Sequence, residues 1–156
     1  YNRTVRLINQ SNMKINMLSK AIALASKVFE ARADKAGKPY ILHCLRVMNA
    51  VDQNDEELMQ IAVMHDIIED SDDIGMVQLL DMGFSERVVR VVGILTHLKI
   101  KSYDDYIKAI ALDEDAKKVK LADLKDNSDI TRLKGLRKKD LDRMEKYHRS
   151  FIYLSN

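Results

Sequence analysis

A histidine and an aspartate stand side by side at His65 and Asp66, and two further carboxylates follow at Glu69 and Asp70, giving the run His-Asp-Ile-Ile-Glu-Asp. On a helix, residues four apart share a face, so His65 would sit under Glu69 and Asp66 under Asp70. That gathers three negative charges and one imidazole at a helix end, where the helix dipole also disfavours anions. A divalent cation would offset the repulsion. Mixed imidazole and carboxylate ligands suit Mn²⁺, Fe²⁺ or Zn²⁺ better than Ca²⁺. Standing alone, a His-Asp pair more often means a core histidine beside a surface acid, so further ligands must come from elsewhere in the chain.

Two segments supply candidates. His43 follows Gly37-Lys38-Pro39-Tyr40-Ile41-Leu42, a turn and then an apolar entry to a helix, which puts an imidazole at a helix start. Asp123 lies in Val119-Lys120-Leu121-Ala122-Asp123-Leu124, where an acid within an apolar stretch is costly to bury without a partner. Asn127, one turn further on, shares that face and can hydrogen-bond a water or a substrate hydroxyl. Lys35 and Lys38 flank the turn before His43 and could neutralise a bound phosphate, or simply be solvated. Cys44 reads as core packing, and His97 and His148 receive no role.

These residues must be positioned by helices. The sole proline is Pro39 and glycines number five, so little interrupts the apolar residues that recur at helical spacing. The expected helices are Met13 to Ala33, His43 to Val51, Asp55 to Glu69, Gly75 to Met82, one from Ser85 through Leu95, one from a Ser102/Asp105 capping pair through Leu112, Asp113 to about Ser128, and Lys139 to Leu154. The fold class is all-α, in a single domain over residues 1–156, a length that suits one compact domain of about 100 to 200 residues.

Composition excludes several functions. Hydrophobic residues make up 46% and charged residues 32%, the balance of a globular protein. With 26 Lys+Arg against 24 Asp+Glu the net charge is +2, so no strong field for nucleic acid is built in. The single cysteine can form neither an internal disulfide nor a thiolate cluster, which fits a reducing cytoplasm. No apolar run approaches the roughly 18 residues of a membrane span, and Tyr1 to Gln10 lacks the apolar core of a secretion signal. Because the chain begins on Tyr1 rather than methionine, residues upstream are left open, as is the oligomeric state.

The segments Lys35 to His43, Met64-His65-Asp66-Ile67-Ile68-Glu69-Asp70-Ser71 and Val119 to Asn127 resemble, in order and spacing, the hydrolase domain of the stringent-response alarmone enzymes of the RelA/SpoT type. Gly93-Ile94-Leu95-Thr96 and the stretch Tyr103 to Ile107 extend the resemblance over most of the chain. It implies a compact HD-domain bundle of about seven to nine helices. It also implies Mn²⁺, or another divalent transition metal, on His43, His65, Asp66 and Asp123. Glu69 and Asp70 would position or activate water, and Asn127 would contact the nucleoside. The implied reaction removes the 3′-pyrophosphate of (p)ppGpp, as in the small stand-alone hydrolase branch. The sequence departs from the family at Asp34, where an arginine that stacks on guanine is usual, and at Ala36, Phe29 and Ile130, although Thr131 is adjacent to the last. Base selectivity is therefore expected to relax. The competing readings are a phosphatase or pyrophosphohydrolase of the same type acting on another phosphorylated nucleotide such as ppApp or NADPH, and a non-catalytic nucleotide-binding module. The basic residues Arg132, Lys134, Arg137, Lys138, Lys139 and Arg143 interleave with Asp140, Asp142 and Glu145, which reads as a solvated face rather than a nucleic-acid surface.

Overall fold

The computed structural model describes residues 15–156. Eight α-helices run in order over Met17–Val28 (α1), Ile41–Ala50 (α2), Glu56–Met64 (α3), Met76–Asp81 (α4), Glu86–Leu95 (α5), Tyr103–Ala111 (α6), Glu114–Asn127 (α7) and Lys138–Ser155 (α8), with one 3₁₀ turn at Ile130–Arg132. Among the described residues there is no strand, only an isolated antiparallel bridge between Ala33 and Pro39. The all-α expectation holds.

The helices begin where their side chains can cap them. Asn16, Asp55, Ser85, Ser102 and Asp113 each accept a hydrogen bond from the backbone N–H three residues on, satisfying one of the amides a helix start leaves unpaired. Ser102 also donates its hydroxyl to Asp105 at 2.8 Å, so the pair is linked reciprocally.

α3 is the axle of the bundle. Leu58, Gln60, Ile61, Ala62, Val63 and Met64 are all buried, so apolar contact surrounds this helix rather than lying on one stripe. α1, α2, α5 and α7 pack against it. Its buried neighbours include Ala21 and Ala25 of α1, Val47 of α2, Val88, Val91 and Val92 of α5, and Val119 and Leu124 of α7.

Two expected helices are shorter than their apolar patterns. The first ends at Val28, because Phe29 to Pro39 leaves the helix for a closed turn. Asp34 N–H donates to Lys38 O at 2.7 Å, Tyr40 N–H to Arg32 O at 2.9 Å, and Gly37 takes φ +79. The start of that expected helix, at residues 13 and 14, lies outside the described residues. The third helix ends at Met64 rather than Glu69, and residues 65–69 coil as a turn. His65 Nδ1 donates to Ala62 O at 2.8 Å, the carbonyl that a continuing helix would offer to the Asp66 amide.

Arg87 on α5 ties three helix starts together. Its guanidinium donates to Asp55 at 2.7 and 3.0 Å, to Asp115 at 2.8 and 3.1 Å and to Glu57 at 3.2 Å. The Arg87 hydrogen bonds lower the Asp55 pKa. A carboxyl whose folded pKa is depressed stabilises the fold above its unfolded value, about 4, and loses that contribution as pH falls through the lower folded value. Replacing Arg87 by Met leaves three carboxylates facing one another. The network is partly exposed, so the expected loss at pH 7 is about 1–2 kcal/mol. Urea unfolding measures it, and the gap between wild type and R87M should shrink below about pH 4.

Candidate metal centre and active site

α2, the turn after α3, and α7 deliver their polar residues to one place. His43 projects from the first turn of α2, His65 caps α3, and Asp123 lies in the third turn of α7. All three are buried. The two imidazole Nε2 atoms are 3.3 Å apart. Asp66 Oδ2 is 3.1 Å from His65 Nε2, and ligand atoms of His43, His65 and Asp66 lie within 4.8 Å of one another. Asp123 approaches from the other side, its Oδ1 3.3 Å from His43 Nε2 and 3.6 Å from His65 Nε2.

The other ring nitrogens decide what this cluster can hold. His65 Nδ1 faces a carbonyl, which only accepts, so it carries a proton. His43 Nδ1 is 2.7 Å from Asp126 Oδ2, and Asp126 is held ionised: although burial opposes it, His43, Arg46 and Arg132 lower its pKa. With both Nδ1 atoms donating, neutral imidazoles turn two bare Nε2 lone pairs toward each other and toward two carboxylates. A cation is the group that fits there. Without one a proton takes its part. Burial disfavours a charged His65, yet Asp66 and Asp123 outweigh it and raise its pKa well above the usual value. The donor set of two imidazoles and two carboxylates fits a divalent transition metal.

Charge around the carboxylates is balanced by residues that the sequence reading passed over. Lys120, half-buried on α7 in the cavity wall, donates to Asp123 Oδ2 at 2.7 Å and lies 5.3 Å from the Tyr106 ring centre. Burial works against its charge, but Asp123 and Tyr106 keep its pKa raised. Burial likewise opposes ionised Asp123, while Lys120, His43 and His65 hold its pKa well below the carboxylate range. Tyr40 donates its hydroxyl to Asp66. Asp126 also takes Arg46 at 2.6 and 3.1 Å. Lys120 and Asp126, three residues to either side of Asp123, share its helix face, a signal already present in the spacing.

A cavity of about 410 Å³ opens over the cluster. Glu69, Asp70, Asn127, Asp34 and Lys35 line it together with His43, Asp66 and Asp123, whereas Lys38 does not. Glu69 Oε2 accepts the His97 amide at 3.1 Å. Asp70 pairs with Arg32, whose guanidinium lies 4.5 Å over the Tyr40 ring. Asn127 donates its amide to Asp123 Oδ1 at 2.6 Å. The Asp34 carboxylate is already engaged: Oδ1 accepts the Ala36 and Lys38 amides at 2.9 Å, and Oδ2 lies 3.5 Å from Arg132. His97, given no role from sequence, forms part of the wall beside Tyr103 and Tyr106. Arg143 and Lys146 of α8 close the far side. Along the basic run, Arg132, Arg137, Lys138 and Arg143 pair with acids, as the interleaved charges suggested.

The chain matches no protein-family model and no curated protein. A solved structure of a metazoan ortholog of SpoT, which hydrolyses ppGpp and plays a role in starvation responses, does match it. The TM-score is 0.75 at 20% sequence identity, covering 92% of this chain and 88% of that one. The two share a fold. At that identity the likeness establishes the all-helical fold and leaves the chemistry to the site.

Orienting carboxylates and carbonyls behind metal-bound histidines typically contribute 10- to 100-fold in affinity. Asp126→Ala is therefore expected to weaken Mn²⁺ binding by about that factor, and Asp126→Asn, which can still accept from Nδ1–H, by less. Calorimetric titration checks this, with melting curves to confirm folding. Equal affinities in all three proteins would contradict the role given to Asp126.

Proposed function

We propose that this protein is a metal-dependent pyrophosphohydrolase that removes the 3′-pyrophosphate of a (p)ppGpp-type nucleotide. Mn²⁺ on His43, His65, Asp66 and Asp123 is the expected cofactor. The observation that carries the reading is the convergence of two Nε2 lone pairs and two carboxylates at the floor of a cation-rimmed cavity. The shared fold with a ppGpp-hydrolysing protein supports it.

A divalent ion held by His43, His65, Asp66 and Asp123 would supply an acidified water and would withdraw charge from a phosphoryl oxygen. The remaining work falls to the chain. Glu69, with Oε2 fixed by the His97 amide, keeps Oε1 to accept the proton as water attacks phosphorus. Asp70, oriented by Arg32, flanks the same water. The P–O bond to the ribose 3′-oxygen breaks, the proton accepted by Glu69 is returned to that oxygen through solvent, and pyrophosphate departs from a 3′-hydroxyl nucleoside. Lys35 and Lys146 line the cavity with no carboxylate within 4 Å among the described residues, so they can neutralise the leaving group. Asn127, its amide committed to Asp123, offers its carbonyl oxygen to a hydroxyl of the nucleoside.

A second reading changes the base. Asp34 is consumed by its own turn and by Arg132, so this position contributes neither a stacking guanidinium nor a free acceptor. That arrangement supports relaxed base discrimination, with 3′-pyrophosphate removal from ppApp or hydrolysis of the 2′-phosphate monoester of NADPH as the alternative reactions. A cytoplasmic location belongs to the same reading; among the described residues no helix is long and apolar enough to cross a membrane.

Assays of ppGpp, ppApp and NADPH with Mn²⁺, compared by kcat/KM, test both readings. Turnover of ppGpp with pyrophosphate release is expected, with ppApp within about tenfold of it. Glu69→Gln should retain metal and lose about 10²- to 10⁴-fold in kcat. No turnover of either alarmone would overturn the first reading, and full activity in E69Q would remove Glu69 as the base.

A further inference from the structure

Glu69 takes the proton in the reaction described above, yet it is a long and exposed side chain. Among the described residues its carboxylate has one hydrogen-bond partner, the His97 backbone N–H, which donates to Oε2 at 3.1 Å. A proton acceptor must present its oxygen at a fixed point, so whatever fixes that amide also fixes the base.

The amide lies in the segment that joins α5 to α6. Both ends of the segment are anchored. Thr96 Oγ1 donates to Val92 O at 2.9 Å and the Tyr106 hydroxyl donates to Leu95 O, while Ser102 Oγ accepts the Asp105 N–H at 3.1 Å. Between those anchors Leu98 and Ile100 are exposed rather than seated in the core. The His97 side chain supplies the closure there. Its Nε2 lies 2.9 Å from Lys101 O, and a carbonyl only accepts, so Nε2 carries the proton. The Lys101 N–H in turn donates to Leu98 O at 2.9 Å. The imidazole is held against two rings of α6, its centre 4.8 Å from that of Tyr106 and 6.0 Å from that of Tyr103, the latter edge-on.

We propose that His97 is a positioning residue for Glu69. Its ring ties the segment closed through Lys101 O, and its own backbone N–H then holds the Glu69 carboxylate with one oxygen turned to the attacking water. What Glu69 does rests on the reading under Proposed function, whereas the link from the His97 ring to that carboxylate rests on the geometry. The leverage is large: displacing a reacting group by about 1 Å costs about 10²-fold in rate. The donor from Nε2 matters more than the ring itself, because a side chain that only stacks on Tyr106 leaves Lys101 O untied.

Two measurements on the full, metal-loaded chain test this. Amide hydrogen exchange followed by NMR, corrected for intrinsic rates, reads the His97 N–H directly. Wild type is expected to protect it, and His97→Ala and Glu69→Ala to exchange it about tenfold faster. His97→Gln, whose side-chain amide can still donate to Lys101 O, should keep most of the protection, and His97→Phe, which keeps a ring without the donor, should not. Equal exchange in wild type and H97A, an amide still protected in E69A, or equal loss in H97Q and H97F would overturn the proposal whatever the turnover. If H97A fails to fold in melting curves, the comparison of H97Q with H97F decides. Hydrolysis of ppGpp is the second measurement. H97A is expected to lower kcat about tenfold or more with KM within about twofold of wild type and Mn²⁺ affinity unchanged. In a Glu69→Gln background the same substitution should add nothing, since a residue that acts through another has no effect once that other is gone. Full kcat in H97A, or losses that multiply in the double variant, would contradict the proposal. If wild type does not turn over ppGpp, the proposed chemistry fails, and the exchange rates still decide whether the His97 ring holds the amide on Glu69.

Discussion

Two imidazole nitrogens 3.3 Å apart, each on a ring whose other nitrogen already donates a hydrogen bond, cannot satisfy one another while both rings are neutral. If both rings are neutral their lone pairs collide, and if both are protonated two positive charges meet in a buried site. A shared cation lets both rings keep their outer hydrogen bonds and direct their lone pairs inward, and a single proton on His65 takes that part in its absence. The rest of the site is arranged around that requirement. Asp66 and Asp123 bring negative charge to the same point, Ala62 O and Asp126 hold the rings in register, and Tyr40 and Asn127 fix the carboxylates.

Burying this much charge would be unfavourable without partners for each group. Lys120 keeps Asp123 ionised from within α7, and Arg46 and Arg132 do the same for Asp126. The apolar side of the structure supplies rigidity. α3 is enclosed by α1, α2, α5 and α7, so the C-cap that carries His65 is held by packing on every side. The polar cluster and the core are thus two ends of the same helix, and the site inherits its geometry from a segment with little freedom to move.

Much of this was legible in the residues alone. Helical spacing and capping residues located most helix starts, because Asp55, Ser85, Ser102 and Asp113 declare them by type, whereas the first and third helices end at Val28 and Met64, short of their apolar patterns. His43, His65, Asp66 and Asp123 stood out because an imidazole or acid in an apolar stretch needs a partner. What the pattern could not show was long-range. The clash between a continuing helix and the His65 bond to Ala62 depends on the metal-facing rotamer, which no periodicity encodes. Arg32 reaching Asp70, Arg132 reaching Asp34 and the His97 amide reaching Glu69 each join segments brought together only by folding. Asp34 illustrates the point. As a letter in a sequence it is a changed base contact, whereas in the fold it is the residue that closes a turn and anchors an arginine. Lys120 and Asp126 are a different case, since their spacing from Asp123 already placed them on its face.

The central claim is that the four residues bind one divalent ion through the Nε2 atoms of both histidines. A crystal structure of the Mn²⁺-loaded protein, with diffraction recorded at the manganese absorption edge, addresses it directly. The account predicts one anomalous peak per chain, within about 2.0–2.3 Å of His43 Nε2, His65 Nε2 and an oxygen of each of Asp66 and Asp123. Contradiction would come from no peak there, from a peak coordinated through either Nδ1, or from one lying against Glu69 and Asp70 with the two imidazoles unbound.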